Sequence, residues 1–159
     1  MKTRKAKLSD LDSITNLYVK FLNHNIQFGK FIYKNKPKIN KKELKHSLKK
    51  RIINSKKNIF LVAEENGKLD GFVQAEIMSN RESRTAKKVV EIVDIYSELK
   101  KKGTGKKLLK EIEKWARLNN AKFILWEFIY GNKSAENFCV KNKFKYFKVK
   151  MLKKLRWQH

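Results

Sequence analysis

Apolar residues recur at helical spacing in two stretches of the first third of the chain. Between residues 11 and 22, and again between residues 44 and 52, an apolar side chain returns every three or four positions, which predicts two amphipathic helices. Ser9 and Asn40 precede these stretches, and each has an acidic residue three positions later, the arrangement of a capping box. Residues 3–8, before the first helix, predict a short strand.

Three segments in the middle of the chain have the composition of strands. They cover residues 58–64, 69–79 and 89–96 and are rich in β-branched and aromatic residues. Asn66-Gly67 lies between the first two, and this dipeptide favours a tight hairpin turn. Because polar residues 80–88 separate the second segment from the third, the sequence predicts three consecutive antiparallel strands.

The last third of the chain alternates between helical and strand patterns. From Leu108 to Ala116 the apolar positions have helical spacing, and residues 122–130 form a mostly apolar run typical of a strand. A short amphipathic helix is predicted from Lys133 to Asn142. Two closing strands are then predicted, at residues 144–147 and from Val149 to Trp157.

The predicted order of elements is β-α-α-β-β-β-α-β-α-β-β. It indicates an α/β (α+β) fold with a mixed, mostly antiparallel central sheet flanked by about four helices. The 159 residues contain no repeat, no linker and no low-complexity segment, so we predict one domain over residues 1–159.

The composition favours a folded protein without a membrane anchor. Hydrophobic residues make up 41% of the chain, and no apolar run reaches the ~20 residues needed to cross a bilayer. The single cysteine, Cys139, excludes an intrachain disulfide and a cysteine metal cluster. We therefore expect a cytoplasmic protein with no metal.

The chain carries a formal net charge of +25, from 40 Lys and Arg against 15 Asp and Glu. Such an excess is compatible with binding to nucleic acid. The basic residues are spread along the whole chain, however, so a general compositional bias is the simpler explanation and nucleic acid is not the favoured partner. The charge would still assist the binding of any anionic ligand.

A glycine-rich turn between a strand and a helix is the strongest functional signal. Gly103-Thr104-Gly105 follows the segment that ends at Tyr96 and directly precedes the helical pattern. The first N–H groups of a helix have no intrahelical partner and carry partial positive charge, which makes the position an anion site. The alternative is an ordinary turn whose glycines serve backbone geometry. The spacing fits neither a Walker loop nor the dinucleotide fingerprint.

Lys100-x-x-Gly103-x-Gly105 resembles the Q/R-x-x-G-x-G/A loop of the GNAT superfamily of N-acetyltransferases, with Lys in the Gln/Arg position. The run from Asn132 through Ala135 and Phe138 to Phe144 resembles that family's N-x-x-A-x-x-F/L-Y-x-x-x-G-F signature. The hairpin at residues 60–72 is also similar, and the predicted order of elements matches over nearly the full length. Cys139 stands where the signature has tyrosine, and Lys143 where it has glycine.

The resemblance implies an acetyl-CoA-dependent enzyme that moves an acetyl group directly to a primary amine in a ternary complex. It implies loop amides that hold the pyrophosphate of acetyl-CoA, a backbone N–H near Ile95 or Tyr96 for the developing oxyanion, and Asn132 and Phe138 along the rest of the cofactor. The implied cofactor-binding residues are Ile95, Tyr96, Lys100, Lys101, Lys102, Gly103, Thr104, Gly105, Lys106, Asn132 and Phe138.

The sequence offers two main candidates for catalytic residues, Glu91 and Cys139. Glu91 is the first candidate for general base, because an acidic residue in an apolar strand needs a partner or a role; a solvated or salt-bridged residue is the alternative. Asp94 and Glu127 are weaker candidates by the same argument, and the lone histidines are expected to be surface residues. Cys139 could protonate the departing thiolate in place of the tyrosine, although a lone buried cysteine is more often an inert apolar side chain.

The acceptor, a small molecule or a protein, is left open, and residues 23–38 and 80–88 are expected to border its site. A homodimer is expected only by analogy with the family. The alternative function is a catalytically weak protein of the same fold that binds CoA or nucleic acid through its basic surface.

Overall fold

The computed structural model describes residues 1–29, 38–53, 57–78, 87–99, 103–153 and 155. The strands in this part of the chain are β1 (Lys2–Lys5), β2 (Asn58–Glu65), β3 (Lys68–Ile77), β4 (Val89–Ser97) and β5 (Phe123–Trp126). The helices are α1 (Leu11–Ile26), α2 (Lys41–Ile52), α3 (Thr104–Leu118) and α4 (Lys133–Lys141), with a 3-10 turn at Leu8–Asp10 before α1. None of the helices in these ranges is long and apolar enough to cross a membrane.

The strands form one open sheet in the order β1-β2-β3-β4-β5. The first three pairs of neighbours are antiparallel, and β4 pairs with β5 in parallel. The predicted α/β class with a mixed, mostly antiparallel sheet is confirmed. The parallel ladder runs from Val89 opposite Phe123 to Ile92 opposite Trp126 and ends there, whereas β4 continues to Ser97. The two strands therefore separate beyond Ile92 and leave a gap in the sheet.

Each face of the sheet carries its own apolar core. On one face, α1 and α2 bury Ile14 and Leu48 against Phe72 of β3. On the other face, α3 buries Leu108 and Ile112 in a cluster that includes residues of β2, β3 and β4. Complete burial of such a side chain contributes about 1.5–3 kcal/mol, so the apolar periodicity of the helices is what fixes them to the sheet.

A β-bulge in β4 changes which side chains share a face. Gln74 of β3 lies opposite Asp94, whereas the next residue, Ala75, lies opposite Ile92, so β4 has one extra residue at Val93. Simple alternation would place Glu91 and Asp94 on opposite faces. With the bulge, both carboxyl groups lie on the face that packs against α1 and α2.

The helix caps agree with the prediction at α2 and differ at α1. The Asn40 side chain accepts hydrogen bonds from the Lys42 N–H at 3.1 Å and the Glu43 N–H at 3.3 Å. At α1 the predicted cap, Ser9, lies inside the 3-10 turn, and Asp10 is the residue before the helix. Its carboxyl group pairs with Arg4 at 2.7 Å. This ion pair, with a contribution from the Lys7 N–H, holds the pKa of Asp10 below its usual value.

The two closing strands predicted after α4 are wrong over the described residues 144–153, which form no strand. The segment follows the open side of the sheet, where the Lys150 ammonium lies 2.8 Å from Oε2 of Glu127. Its alternating apolar side chains, including Phe147 and Val149, remain largely exposed because they have no strand ladder to enter. Strand β5 is also shorter than predicted, since residues 127–129 leave the ladder and line the gap instead.

Candidate active site

The gap between β4 and β5 is the mouth of a cleft of about 730 Å³. Its walls come from the ends of β4 and β5, from the C-terminal part of α1, from the first turn of α3 and from α4. A volume of this size falls within the range of small-molecule sites, roughly 300–1,000 Å³.

The N-terminus of α3 opens into one end of the cleft. Gly103, Gly105 and Lys106 contribute to the lining. Gly103 has φ of +76°, a left-handed conformation in which a residue with a side chain is strained, and it is the residue before the helix. The structure therefore brings three of the predicted cofactor-binding residues to this end, while Lys100, Lys101 and Lys102 lie outside the described residues.

The second glycine of the turn packs closely against an aromatic ring. A Cβ atom at Gly105 would lie 3.1 Å from Cε2 and 3.5 Å from Cζ of Phe138. The Phe138 ring in turn meets the edge of Trp126, with ring centroids 5.9 Å apart. Phe138 thus fills the space between α3 and β5, and its predicted role along the cofactor stays a prediction.

Helix α4 supplies polar side chains to the same wall. Asn132 caps this helix by accepting a hydrogen bond from the Ala135 N–H at 3.1 Å, and it also lines the cleft. Asn132 therefore serves as a helix cap and lies in the cleft wall, and its role toward the cofactor stays a prediction. Ser134 and Asn137, on the first turns of the helix, add a hydroxyl and an amide to the lining.

Thr104 faces the protein interior. Its side chain is 1% exposed, and its hydroxyl donates a hydrogen bond to Oδ2 of Asp70, a buried residue of β3. Oδ1 of Asp70 accepts a second hydrogen bond, from the Leu99 N–H at 3.1 Å. Sequence reasoning missed Asp70, although an aspartate directly before Gly71 in an apolar strand was the signal that could have found it.

A buried polar cluster forms the other end of the cleft. Asp94 lines it, and its Oδ2 accepts a hydrogen bond from the Tyr18 hydroxyl. Nη1 of Arg51 donates to the same hydroxyl at 2.8 Å and lies 3.5 Å from Oε1 of Gln74. Burial raises the pKa of Asp94, more than its hydrogen bond with Tyr18 and the charge of Arg51 lower it. The cluster is therefore a carboxyl group poised to exchange a proton at higher pH than an ordinary aspartate.

Ile95 and Tyr96 also lie in the cleft wall, at the free part of β4. The Tyr96 ring packs against Phe21 of α1, with centroids 6.0 Å apart, and against Phe72. Burial raises the pKa of the Tyr96 hydroxyl, which is therefore protonated at neutral pH. These contacts fix the strand segment whose backbone was predicted to face the reacting carbonyl.

The two residues first chosen as catalytic candidates lie outside the described lining of the cleft. Glu91 is half-buried on β4, opposite Glu76 of β3 and Leu125 of β5. Cys139 is 7% exposed on the inner side of α4, and burial raises the pKa of its thiol to about 11. Their proposed roles remain predictions.

Besides Asp94, the cleft lining includes Glu127, the other weaker candidate for base, and His24. Glu127 follows β5, and its exposed carboxyl group forms an ion pair with Lys150. His24 lies at the C-terminal end of α1, where its ring meets the edge of Phe28 at 5.2 Å. His46 lies elsewhere, on the exposed side of α2.

The model of the acetyltransferase (GNAT) family matches residues 24–144, a range that contains both ends of the cleft. The chain belongs to this family. No curated protein sequence matches the GNAT chain described here.

Solved structures of similar fold include acetyltransferases with different acceptors. A mutant of the BH1408 protein from Bacillus halodurans aligns with a TM-score of 0.79 and 17% identity, over 98% of this chain and 100% of that chain. AAC(6')-Iy, in complex with the bisubstrate analogue CoA-S-monomethyl-acetylneamine, aligns with a TM-score of 0.70 and 14% identity over 98% of each chain. Ribosomal-protein-alanine N-acetyltransferase from Brucella melitensis biovar Abortus 2308 has a TM-score of 0.70 and 11% identity, over 98% of this chain and 100% of that one. At these identities the similarity shows the fold alone.

Proposed function

We propose that this GNAT protein is an acetyl-CoA-dependent N-acetyltransferase that acts on a primary amine by direct transfer in a ternary complex. The observation that carries the proposal is the cleft between β4 and β5, with a helix N-terminus at one end and the half-buried carboxyl group of Asp94 at the other. Family membership supports acetyl transfer, and the related fold of AAC(6')-Iy holds a CoA-based analogue.

The residues at the α3 end of the cleft fit the diphosphate of acetyl-CoA. Backbone N–H groups after Gly103 have no helical partner of their own, and the ammonium of Lys106 adds a positive charge beside them. Phe138 offers an apolar surface to the pantetheine, next to the polar groups of Ser134 and Asn137. When bound here, acetyl-CoA supplies the thioester that the amine attacks.

Asp94 is the group best placed to accept a proton from the ammonium form of the acceptor. This ammonium must lose a proton before its nitrogen can attack the thioester, and proton transfer is most efficient when the pKa of the base lies near the working pH. Burial of Asp94 moves its pKa in that direction. Glu91, on the same face of β4, would act only through an intervening group, because Asp94 lies nearer the separated end of the strand.

The backbone of β4 at Ile95 and Tyr96 is the proposed site for the developing oxyanion, because a fixed N–H donor stabilises such a charge without reorganisation.

The departing thiolate of CoA needs a proton donor, and Cys139 is the candidate for this role. Cys139 holds a proton at neutral pH, since the pKa of its thiol is about 11. Its burial away from the described lining favours packing as its function.

Two measurements test the proposal. Titration calorimetry with CoA at low salt should show saturable binding, and incubation of acetyl-CoA with a panel of primary amines should release free thiol in proportion to acetylated product. The panel should contain an aminoglycoside, a polyamine and peptides with a free N-terminus. Saturable CoA binding without turnover of any amine would contradict the transferase function and leave a CoA-binding protein.

Nucleic-acid binding is the second candidate, and one observation favours it. On α2 the side chains of Lys41, Lys42, Lys49 and Lys50 are exposed, and none forms an ion pair in the described part of the chain. The logarithm of the association constant for a labelled RNA or DNA duplex should then fall linearly with the logarithm of the salt concentration. Replacement of these four lysines by glutamine should flatten that dependence, and a salt-insensitive affinity would exclude this candidate.

A further inference from the structure

One buried carboxyl group beside the cleft has no part in the proposed chemistry. Asp70 is 7% exposed at the start of β3. Its Oδ1 accepts a hydrogen bond from the Leu99 N–H at 3.1 Å, and its Oδ2 accepts one from the Thr104 hydroxyl. Its main-chain oxygen accepts a third, from the Glu98 N–H at 2.8 Å. A single residue therefore holds the chain on both sides of the glycine turn.

We propose that Asp70 is a positioning residue that holds Leu99 and the N-terminus of α3, so that the backbone N–H groups at the start of this helix face the cleft before the diphosphate ligand arrives. The inference rests on the proposed function. Thr104 is the first residue of α3, and its hydrogen bond fixes the orientation of the helix N-terminus. Leu99 lies two residues beyond the end of β4, and its bond fixes the chain at that point.

The charge of Asp70 is compatible with this role. A carboxylate near a phosphate would repel it if it faced the ligand, but both of its oxygens accept hydrogen bonds from the protein and it lies outside the described lining of the cleft. Hydrogen bonds to a charged acceptor are about twice as strong as neutral ones. A helix N-terminus held in this way loses little conformational freedom on binding, and pre-organisation of this kind raises affinity.

The neighbouring backbone adds to the same restraint. Gly71, the next residue, pairs with Ser97 at the end of β4, and a Cβ atom at Gly71 would lie 2.5 Å from the main-chain oxygen of Tyr96. The close approach of these two strands brings Asp70 within reach of the turn. Strand pairing and side-chain bonding therefore act on the same few residues.

The test separates diphosphate binding from general damage to the fold. Asp70→Ala and Thr104→Val each remove one partner of the Asp70–Thr104 hydrogen bond. Calorimetry measures the binding of CoA to each variant. Turnover of S-acetylpantetheine, which lacks the diphosphate, measures the chemistry separately. We expect the Kd for CoA to rise about tenfold, equivalent to about 1.4 kcal/mol. For Asp70→Ala, the kcat/KM for S-acetylpantetheine should stay within about twofold of the unmodified protein, because Asp70 lies outside the described lining of the cleft where the chemistry takes place.

Conservative variants and a distant control complete the design. Asp70→Asn keeps an acceptor for Leu99, and Thr104→Ser keeps the hydroxyl, so both should recover affinity relative to Asp70→Ala and Thr104→Val. Asp12→Ala removes an exposed carboxyl group that pairs with Lys45, and should leave the Kd for CoA unchanged.

Three results would overturn the inference: unchanged CoA affinity in Asp70→Ala and Thr104→Val, equal losses for both ligands, or failure of both variants to unfold cooperatively. Absence of CoA binding by the unmodified protein would instead contradict the proposed function. The two failures are thus distinguishable in one set of titrations.

Discussion

The hydroxyl of Tyr18 donates a hydrogen bond to Oδ2 of Asp94 and joins α1 to the strand that forms one wall of the cleft. Nη1 of Arg51 lies 3.6 Å from the same carboxyl oxygen. Burial raises the pKa of Asp94, and these two partners lower it. Side chains from two helices therefore help to set the pH at which Asp94 can accept a proton.

Tyr18→Phe is expected to move the acidic limb of the kcat/KM profile to higher pH. The tyrosine hydrogen bond stabilises the carboxylate, so its loss should raise the pKa of Asp94 further, and a general base must be deprotonated to act. The measurement is kcat/KM between pH 5 and 9 with one acceptor. Tyr146→Phe is the control, because its hydroxyl contacts Glu136 on the exposed side of α4. An unchanged limb in Tyr18→Phe would mean that another group is the base.

Asp94→Asn should lower kcat/KM by about 10²-fold or more, the usual contribution of a positioned general base. Glu91→Gln is the matched comparison, since both carboxyl groups lie on the same face of β4 and only Asp94 lines the cleft. We expect the Glu91 variant to lose less than about tenfold. The reverse order of the two losses would restore Glu91 as the base, and the same assay with thiol detection decides between them.

Much of the fold was predictable because it depends on local patterns. The apolar spacing of residues 11–22 fixes α1, and the Asn-Gly turn at Asn66-Gly67 fixes the hairpin. The closing strands were wrong for a non-local reason. Alternating apolar residues predict a strand only if a sheet edge is there to accept them, and residues 144–153 run beside the point where β5 has already ended.

The glycine-turn end of the cleft was predictable from sequence, whereas the arrangement around Asp94 was not. Two glycines at fixed spacing identified the turn. In the structure Gly103 has a positive φ, whereas Gly105 packs closely against Phe138. The bulge at Val93 was invisible in the sequence, and it alone places Asp94 beside Tyr18 on the face of α1. Asp70 was missed for a related reason, because its partners lie 29 and 34 residues away in the chain.

The two glycines of the turn should respond differently to alanine. Gly105→Ala would place Cβ 3.1 Å from Cε2 of Phe138 and force that ring to move, so we expect weaker CoA binding. Gly103→Ala meets no atom within 4 Å but must hold φ near +76°, so it should lower the free energy of unfolding by roughly 1 kcal/mol. Urea unfolding and CoA calorimetry measure both effects. Equal changes in stability and affinity for the two variants would contradict these separate roles.

Cys139→Ala should retain kcat within about twofold and lower the free energy of unfolding by about 1 kcal/mol, because it removes one buried sulfur atom from an apolar site. Cys139→Ser should be less stable than the alanine variant, since it buries a hydroxyl in the same place. Thiol release from acetyl-CoA is the activity assay. A loss of more than about tenfold in kcat in both variants would show that the thiol is the proton donor to the leaving group.

The net charge of +25 should make the rate depend on the charge of the acceptor. At saturating acetyl-CoA, kcat/KM for a polycationic amine such as spermine should rise with salt, because salt screens its repulsion from the protein. For an acidic peptide with a free N-terminal amine, kcat/KM should fall as salt weakens the attraction. The cleft favours this order, since Asp94 and Glu127, the carboxyl groups in its described lining, are already hydrogen-bonded to Tyr18 and Lys150. A polyamine whose kcat/KM falls with salt would show instead that local acidic groups control acceptor binding.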